Sequence, residues 1–200
     1  IDILALTPAN RAALRDSLPE SCERHLRTTG GDRAARRVTI DIDSFPIEVH
    51  GHQPGASYNG HYRDTVYHPL VASYSVAGTY DSMQHGHRLG NGFLHAILRQ
   101  GQVHTAQGIR RFLQEVIVKA TRLGYVVDYR MDAGYTDGET LDYLTDEHLR
   151  FIGRIKANAV LQRMAAPHLI RPVGRPPKEG YEKIVELGEY QAESWQHAQR

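Results

Sequence analysis

Val38 to Tyr62, VTIDIDSFPIEVHGHQPGASYNGHY, is the stretch whose reading decides the fold. It opens by alternating apolar and acidic residues, Ile40, Asp41, Ile42, Asp43, which is the period of a β-strand. Successive strand side chains point to opposite faces, so Ile40 and Ile42 bury on one face while Asp41 and Asp43 share the other. Two neighbouring carboxylates repel each other, so that face is either exposed or holds a cation. The loop that follows sets His50, His52, Gln53, Tyr58, Asn59 and His61 among Gly51, Gly55 and Gly60. Polar groups at that density beside an acidic strand read as part of a site.

Upstream, residues 8–27 read as a helix. Thr7 can cap it, Pro8 suits its first position, and Ala13, Leu14, Leu18, Cys22 and Leu26 recur at helical spacing. Pro19 is expected to break or kink it, because proline lacks the N–H that the helix ladder needs. Residues 28–37 form a polar, glycine-containing linker into the acidic strand. Downstream, Tyr67–Val76 is β-rich, residues 79–92 are a polar connection, and Phe93–Leu98 is a further apolar run. A helix is expected from a Thr105 cap, with Ile109, Phe112, Leu113, Val116, Ile117 and Ala120 as its apolar stripe and Gly124 as its stop. Tyr125–Met131 reads as a strand, residues 137–148 as a helix with Leu141 and Leu144 inward, and Phe151–Ile155 as a last strand. The order β, β, β, helix, β, helix, β describes an α/β domain whose mixed sheet is antiparallel at first and parallel later.

Composition sets the outer bounds. The chain has 200 residues, 40% of them hydrophobic and 24% charged, with a formal net charge of +1, an ordinary globular balance. Cys22 is the single cysteine, which excludes an internal disulfide and any multi-cysteine zinc site and suits a reducing compartment. Twelve histidines make the protein more cationic below about pH 6.5. No apolar run approaches the roughly 18 residues a bilayer span needs, and no signal peptide is present, so a cytoplasmic location is expected. The chain opens on Ile1 rather than Met and ends soon after Trp195, so it reads as a piece of a longer protein.

Asp132 stands where the Tyr125–Met131 strand gives way to a loop containing Gly134, an edge at which open α/β sheets collect ligands and catalytic groups. A turn or N-cap aspartate is the competing reading. A central-strand aspartate, Asp43 or Asp41, brought beside Asp132 makes an oxygen-rich site suited to Mg²⁺ or Mn²⁺. Two such ions can activate an attacking oxygen and stabilise a leaving one in phosphoryl transfer. A rival zinc site of His50, His52 and His61 with Asp43 has no specific ligand spacing behind it. Ser44 lies in no GxSxG elbow, which argues against a serine triad. From His148 to Lys178 no Asp or Glu occurs, while Arg150, Arg154, Lys156, Arg163, Arg171, Arg175 and Lys178 are all basic, a local asymmetry that favours phosphate. Gly174-Arg175-Pro176 within it matches the core of minor-groove AT-hook peptides over three residues only, and an extended linker explains it as well.

Several of these stretches, taken in order, resemble the DDE transposases of the IS1380 type of bacterial insertion sequence. They are Asp41-Ile42-Asp43-Ser44, His50-Gly51-His52-Gln53, Tyr58-Asn59-Gly60-His61-Tyr62, Tyr67-His68-Pro69-Leu70, Leu98-Arg99-Gln100-Gly101, Arg130-Met131-Asp132-Ala133-Gly134-Tyr135 and Gly153-Arg154-Ile155-Lys156-Ala157-Asn158. The resemblance covers residues 38–164. It implies a ribonuclease H-like core, a mixed five-stranded sheet with helices on both faces, occupying residues 38–156. A partial helical flank (1–37) would precede that core, and the start of a β-rich insertion (157–200) would follow it. It implies a triad of two Asp and one Glu around two Mg²⁺ (or Mn²⁺) ions, with Asp43 as the first acid, Asp41 as its alternative, and Asp132 as the second. The third, in a Tyr-x-x-Arg-x-x-x-Glu helix, has no counterpart here, so the chain is expected to lack catalysis alone. Double-stranded DNA is the implied partner, met by Arg130, Arg154, Lys156, Asn158 and Arg175 and positioned by Asn158 and Gln53, with a homodimer on DNA in the full-length protein. A metal-dependent nuclease of the same fold and a noncatalytic DNA-binding remnant are the other readings.

Overall fold

The computed structural model describes residues 8–28, 37–76, 91–123, 125–169, 174–175 and 184–200. Thr7, most of the 28–37 linker, the connection at 77–90 with His85 and His87, and Arg171, Lys178, Tyr181 and Glu182 lie outside them.

The acidic strand is the centre of the sheet. β1 (Arg37–Ser44) buries Val38, Ile40 and Ile42 and leaves Thr39, Asp41 and Asp43 on the other side, as the alternation requires. Four strands flank it: β5 (Leu70–Val76), β6 (Asn91–Ile97), β7 (Val126–Met131) and β8 (Arg150–Gly153). The sheet order is β6-β5-β1-β7-β8. β1 pairs antiparallel with β5 and parallel with β7, β5 is antiparallel to β6, and β7 is parallel to β8. Three antiparallel strands followed by two parallel ones on the far side of β1 make the mixed α/β sheet that was expected.

Three helices bury their apolar stripes on the Ile40 face: α1 (Pro8–Thr28), α2 (Ile109–Leu123) and α3 (Gly138–Asp146). Cys22 and Leu26 of α1, Phe112, Leu113 and Val116 of α2, and Tyr143 and Leu144 of α3 form one core with Ile40, Tyr74, Tyr129 and Met131. Each large side chain buried there stabilises by about 1.5–3 kcal/mol. Among the described residues no helix joins the opposite face, where Asp128 pairs with Arg37 at 3.2 Å and with Arg150 at 2.8 Å, and Asp41 pairs with Arg130. Ile152 and Phe93 are more than half exposed there.

Several expected elements differ in detail. α1 runs unbroken through Pro19. A proline inside a helix costs about 3 kcal/mol, and burial of Cys22 and Leu26 in the turns after it is of the same size. α2 begins at Ile109 rather than at a Thr105 cap. Residues 105–108 are turn, ending on Gly108 with φ +79°, a left-handed conformation that stops helix from extending upstream. The β-rich run 67–76 is split at His68-Pro69 into two strands belonging to different sheets. There β4 (Asp64–Tyr67) pairs with β2 (Ile47–Glu48) and β3 (Ser57–Asn59) in a small three-stranded sheet.

The polar loop between β1 and β5 therefore carries structure of its own. Asn59 donates to the Gly101 carbonyl at 2.6 Å and accepts from the amides of His61 and Tyr62, which fixes the β3–β4 turn against the end of the main sheet. Gly101 has no room for a side chain, since a Cβ would collide with the carbonyl oxygens of Val66 and Ser57.

After β8 the chain forms α4 (Ala159–Ala165), capped by the Asn158 side chain, and a 3-10 turn at Ala166–His168. Within the stretch expected to begin a β-rich insertion, residues 190–199 form a turn closed by a bridge between Tyr190 and Gln199. One anchor of this segment is Asp142 on α3, a buried carboxylate that accepts from the backbone amides of Gln196 and His197 at 2.9–3.0 Å.

Candidate active site

Asp43 and Asp132 come together because their strands are adjacent and parallel. Ile42 of β1 is in register with Met131 of β7, so the next residue along each strand is one of the two aspartates. Both line one open groove of about 490 Å³, with Asp41, Arg130, Ile152 and Arg154. Strands lie roughly 4.8 Å apart, so neighbouring carboxylates at two strand ends are within reach of one cation.

Of the competing roles for Asp132, the helix cap falls to another residue, whereas the turn is its own. The helix cap is Asp137, whose side chain accepts from the Thr140 amide at 2.8 Å. Asp132 uses its backbone carbonyl to accept from Tyr135 N at 3.0 Å, and its carboxylate is 61% exposed in the groove. Arg154 approaches it at 3.6 Å from an exposed side chain, an ion pair of little strength in water.

The strand acids divide their roles. Asp41 is taken by Arg130, which donates to both of its oxygens. Asp43 has no ion pair among the described residues, and one of its oxygens accepts from the Ser44 amide at 2.7 Å. Oxygen-only donors in an open groove fit a hard divalent cation such as Mg²⁺ or Mn²⁺. Among the described residues no third His, Cys, Asp or Glu converges with them, and none of His50, His52 and His61 takes part in such a group of three. His52 and Gln53 line a separate surface depression above the small sheet, with Gly51, Pro54 and Thr65.

Behind the groove lies a buried polar cluster that sequence reading passed over. Tyr135, 1% exposed, donates its hydroxyl to Ser44 Oγ at 2.6 Å. Burial is the main cause that pushes this phenol above its ordinary range, with the nearby Asp43 charge adding to it, so it stays protonated and donating at neutral pH. Arg99 donates to the carbonyls of His68, Thr105 and Gln107, each at 2.9 Å, and interacts with the Tyr135 hydroxyl; burial lowers its tendency to carry charge. His68, 3% exposed, is held by the Val103 carbonyl at 3.2 Å. The signals were the tyrosine three residues after Asp132 and the arginine before Gln100-Gly101, both inside the quoted motifs.

The remaining basic residues are distributed unevenly. Arg150 is engaged by Asp128, whereas Lys156 and Arg163 are exposed and have no hydrogen bond or ion pair among the described residues; Arg175 is exposed. Asn158 spends its side chain on the α4 cap and on donating to the Tyr190 hydroxyl at 3.0 Å. No helix among the described residues is long and apolar enough to cross a membrane.

Comparison with solved structures finds the Drosophila P element transposase strand transfer complex, at 14% identity and a TM-score of 0.39, covering 66% of this chain and 29% of that one. The Mos1 transposase paired-end complex with left transposon end is similar at 14% identity and a TM-score of 0.33, covering 75% of this chain and 43% of that one. The chain thus spans less than half the length of either. No curated protein matches it. The family described as transposase DDE domain group 1 matches residues 9–200, so nearly the whole chain is accounted for, and the protein belongs to that family.

Proposed function

We propose that Asp43 and Asp132 are the first two metal-binding carboxylates of a transposase that cuts and rejoins DNA, and that the parent protein is of the IS1380 insertion-sequence type. The observation that carries this is their placement one residue past the last in-register pair of two adjacent parallel strands, lining one open groove. Membership of the family supports it. Mg²⁺ or Mn²⁺ bound there would supply Lewis-acid stabilisation of charge on phosphate and hydroxyl oxygens. The chain's own part is to hold the carboxylates apart from other charges. Arg130 neutralises Asp41 so that Asp43 is the acid left available, and the weak Arg154 contact leaves Asp132 accessible.

Double-stranded DNA, as element ends and target, is the proposed partner, with Lys156, Arg154 and Arg175 meeting phosphates as sequence-independent contacts. We assign residues 38–156 to the catalytic core and residues 157–200 to an insertion that follows it. With no third acid beside the pair among the described residues, the chain on its own is proposed to be inactive in strand transfer. A calorimetric Mn²⁺ titration tests the metal site: the unaltered chain should bind and Asp43→Ala should not. Equal binding by both would remove Asp43 from the site. Robust Mg²⁺-dependent strand transfer by the chain would refute its proposed inactivity.

A further inference from the structure

We propose that Tyr135 is a positioning residue for the carboxylate pair. Its hydroxyl bond to Ser44 ties the loop bearing Asp132 to the strand end bearing Asp43, and so fixes the gap between the two acids. The proposal rests on the metal-site reading above.

The connections run from one acid to the other. Asp43 accepts from the Ser44 amide, Ser44 Oγ accepts from the Tyr135 hydroxyl, and Tyr135 N donates to the Asp132 carbonyl. Beyond Ile42 and Met131 the β1–β7 ladder has no further paired residues, so backbone hydrogen bonding no longer fixes the spacing where the acids begin. Among the described residues, the Tyr135–Ser44 bond is the side-chain cross-link that bridges the two chain segments past that point. It is rigid for two reasons. The ring is buried in the core, and the turn before it is braced, since a Cβ on Gly134 would come within 2.9 Å of Thr105 Cγ2. The Arg99 guanidinium, anchored by three carbonyls, interacts electrostatically with the same hydroxyl. Groups that orient a metal ligand without touching the metal typically change affinity by about 10–100-fold when removed.

The test is a Mn²⁺ titration, followed by calorimetry and by the electron-spin signal of free Mn²⁺, on the unaltered chain, Tyr135→Phe, Ser44→Ala, Ser44→Thr and the Tyr135→Phe/Ser44→Ala double variant. Tyr135→Phe keeps the buried ring and removes only the donor. It should weaken Mn²⁺ binding about tenfold, with Ser44→Ala equal to it, the double variant no worse than either, and Ser44→Thr near the unaltered chain because the acceptor is restored. Circular dichroism checks folding, and Ser44→Ala serves if Tyr135→Phe does not fold. Tyr135→Phe and Ser44→Ala binding as tightly as the unaltered chain, while Asp43→Ala loses binding, would overturn the positioning role and leave the metal site standing. Absence of Mn²⁺ binding by the unaltered chain would overturn both.

Discussion

Arg130 donates to both carboxylate oxygens of Asp41 across the step between β1 and β7, the outer bond measuring 3.0 Å. The acidic face of the central strand therefore has its cation built in for one acid and not for the other. That division selects Asp43 over its neighbour as the carboxylate open to a metal ion.

Removing the guanidinium tests this division. Arg130→Gln should leave stability within about 1 kcal/mol of the parent, since the pair is partly exposed. It should raise rather than lower Mn²⁺ affinity, because Asp41 then adds uncompensated negative charge to the groove. A fall in affinity would show that Arg130 organises the site instead of screening it.

The same logic separates the basic residues. Lys156, exposed and without a partner among the described residues, should act through phosphate alone. Lys156→Ala should reduce the slope of log K against log salt for duplex DNA by about 0.9. Arg130→Gln, whose guanidinium is already engaged, should change that slope much less. Equal losses would place Arg130 on the DNA directly.

How much of this was legible is clearest at β1. Alternation alone placed Ile40 inside and Asp41 and Asp43 outside, and the order of periodic segments gave the switch from antiparallel to parallel pairing. Pro19 does not break α1 and Thr105 does not cap α2, because local propensity is outweighed by core burial in one case and by a left-handed Gly108 in the other. The quoted motifs carried less chemistry than their polarity suggested. Asn59, Gly101 and Arg99 hold the small sheet and the strand ends in place, through long-range contacts that no local pattern encodes. The Asp142 anchor was hidden for the same reason, its partners lying more than fifty residues away.

That anchor should matter to stability. Asp142→Ala leaves the Gln196 and His197 amides without their acceptor and should cost about 1–3 kcal/mol. Hydrogen exchange should accelerate across residues 190–200 first, with the β1 amides unaffected. Unchanged exchange there would mean that the segment's other ties, His197 to Asp146, Gln199 to Thr145 and Trp195 against Gly138, hold it without Asp142.

Alkaline pH should unfold the protein through its buried acids. Burial pushes the Cys22 thiol from 9.0 up to about 12, and the Tyr129 phenol from 10.0 up to about 12. Each folded-state value is raised, so the associated stability is whole below the unfolded value and is lost as pH climbs from 9 toward 12. Denaturation midpoints should fall across that window, and less steeply in Cys22→Ala. Rapid alkylation of Cys22 in the folded chain near neutral pH would contradict its burial.

The central claim, that Asp43 and Asp132 hold a divalent cation together, is tested most directly by replacing that cation with Fe²⁺ and mapping the cuts made by locally generated hydroxyl radicals. The two-carboxylate site predicts backbone cleavage clustered around residues 43 and 132, suppressed by excess Mg²⁺ and absent from Asp43→Asn and Asp132→Asn. Cleavage centred instead on the loop bearing His50, His52 and His61, or unaltered by either substitution, would contradict it.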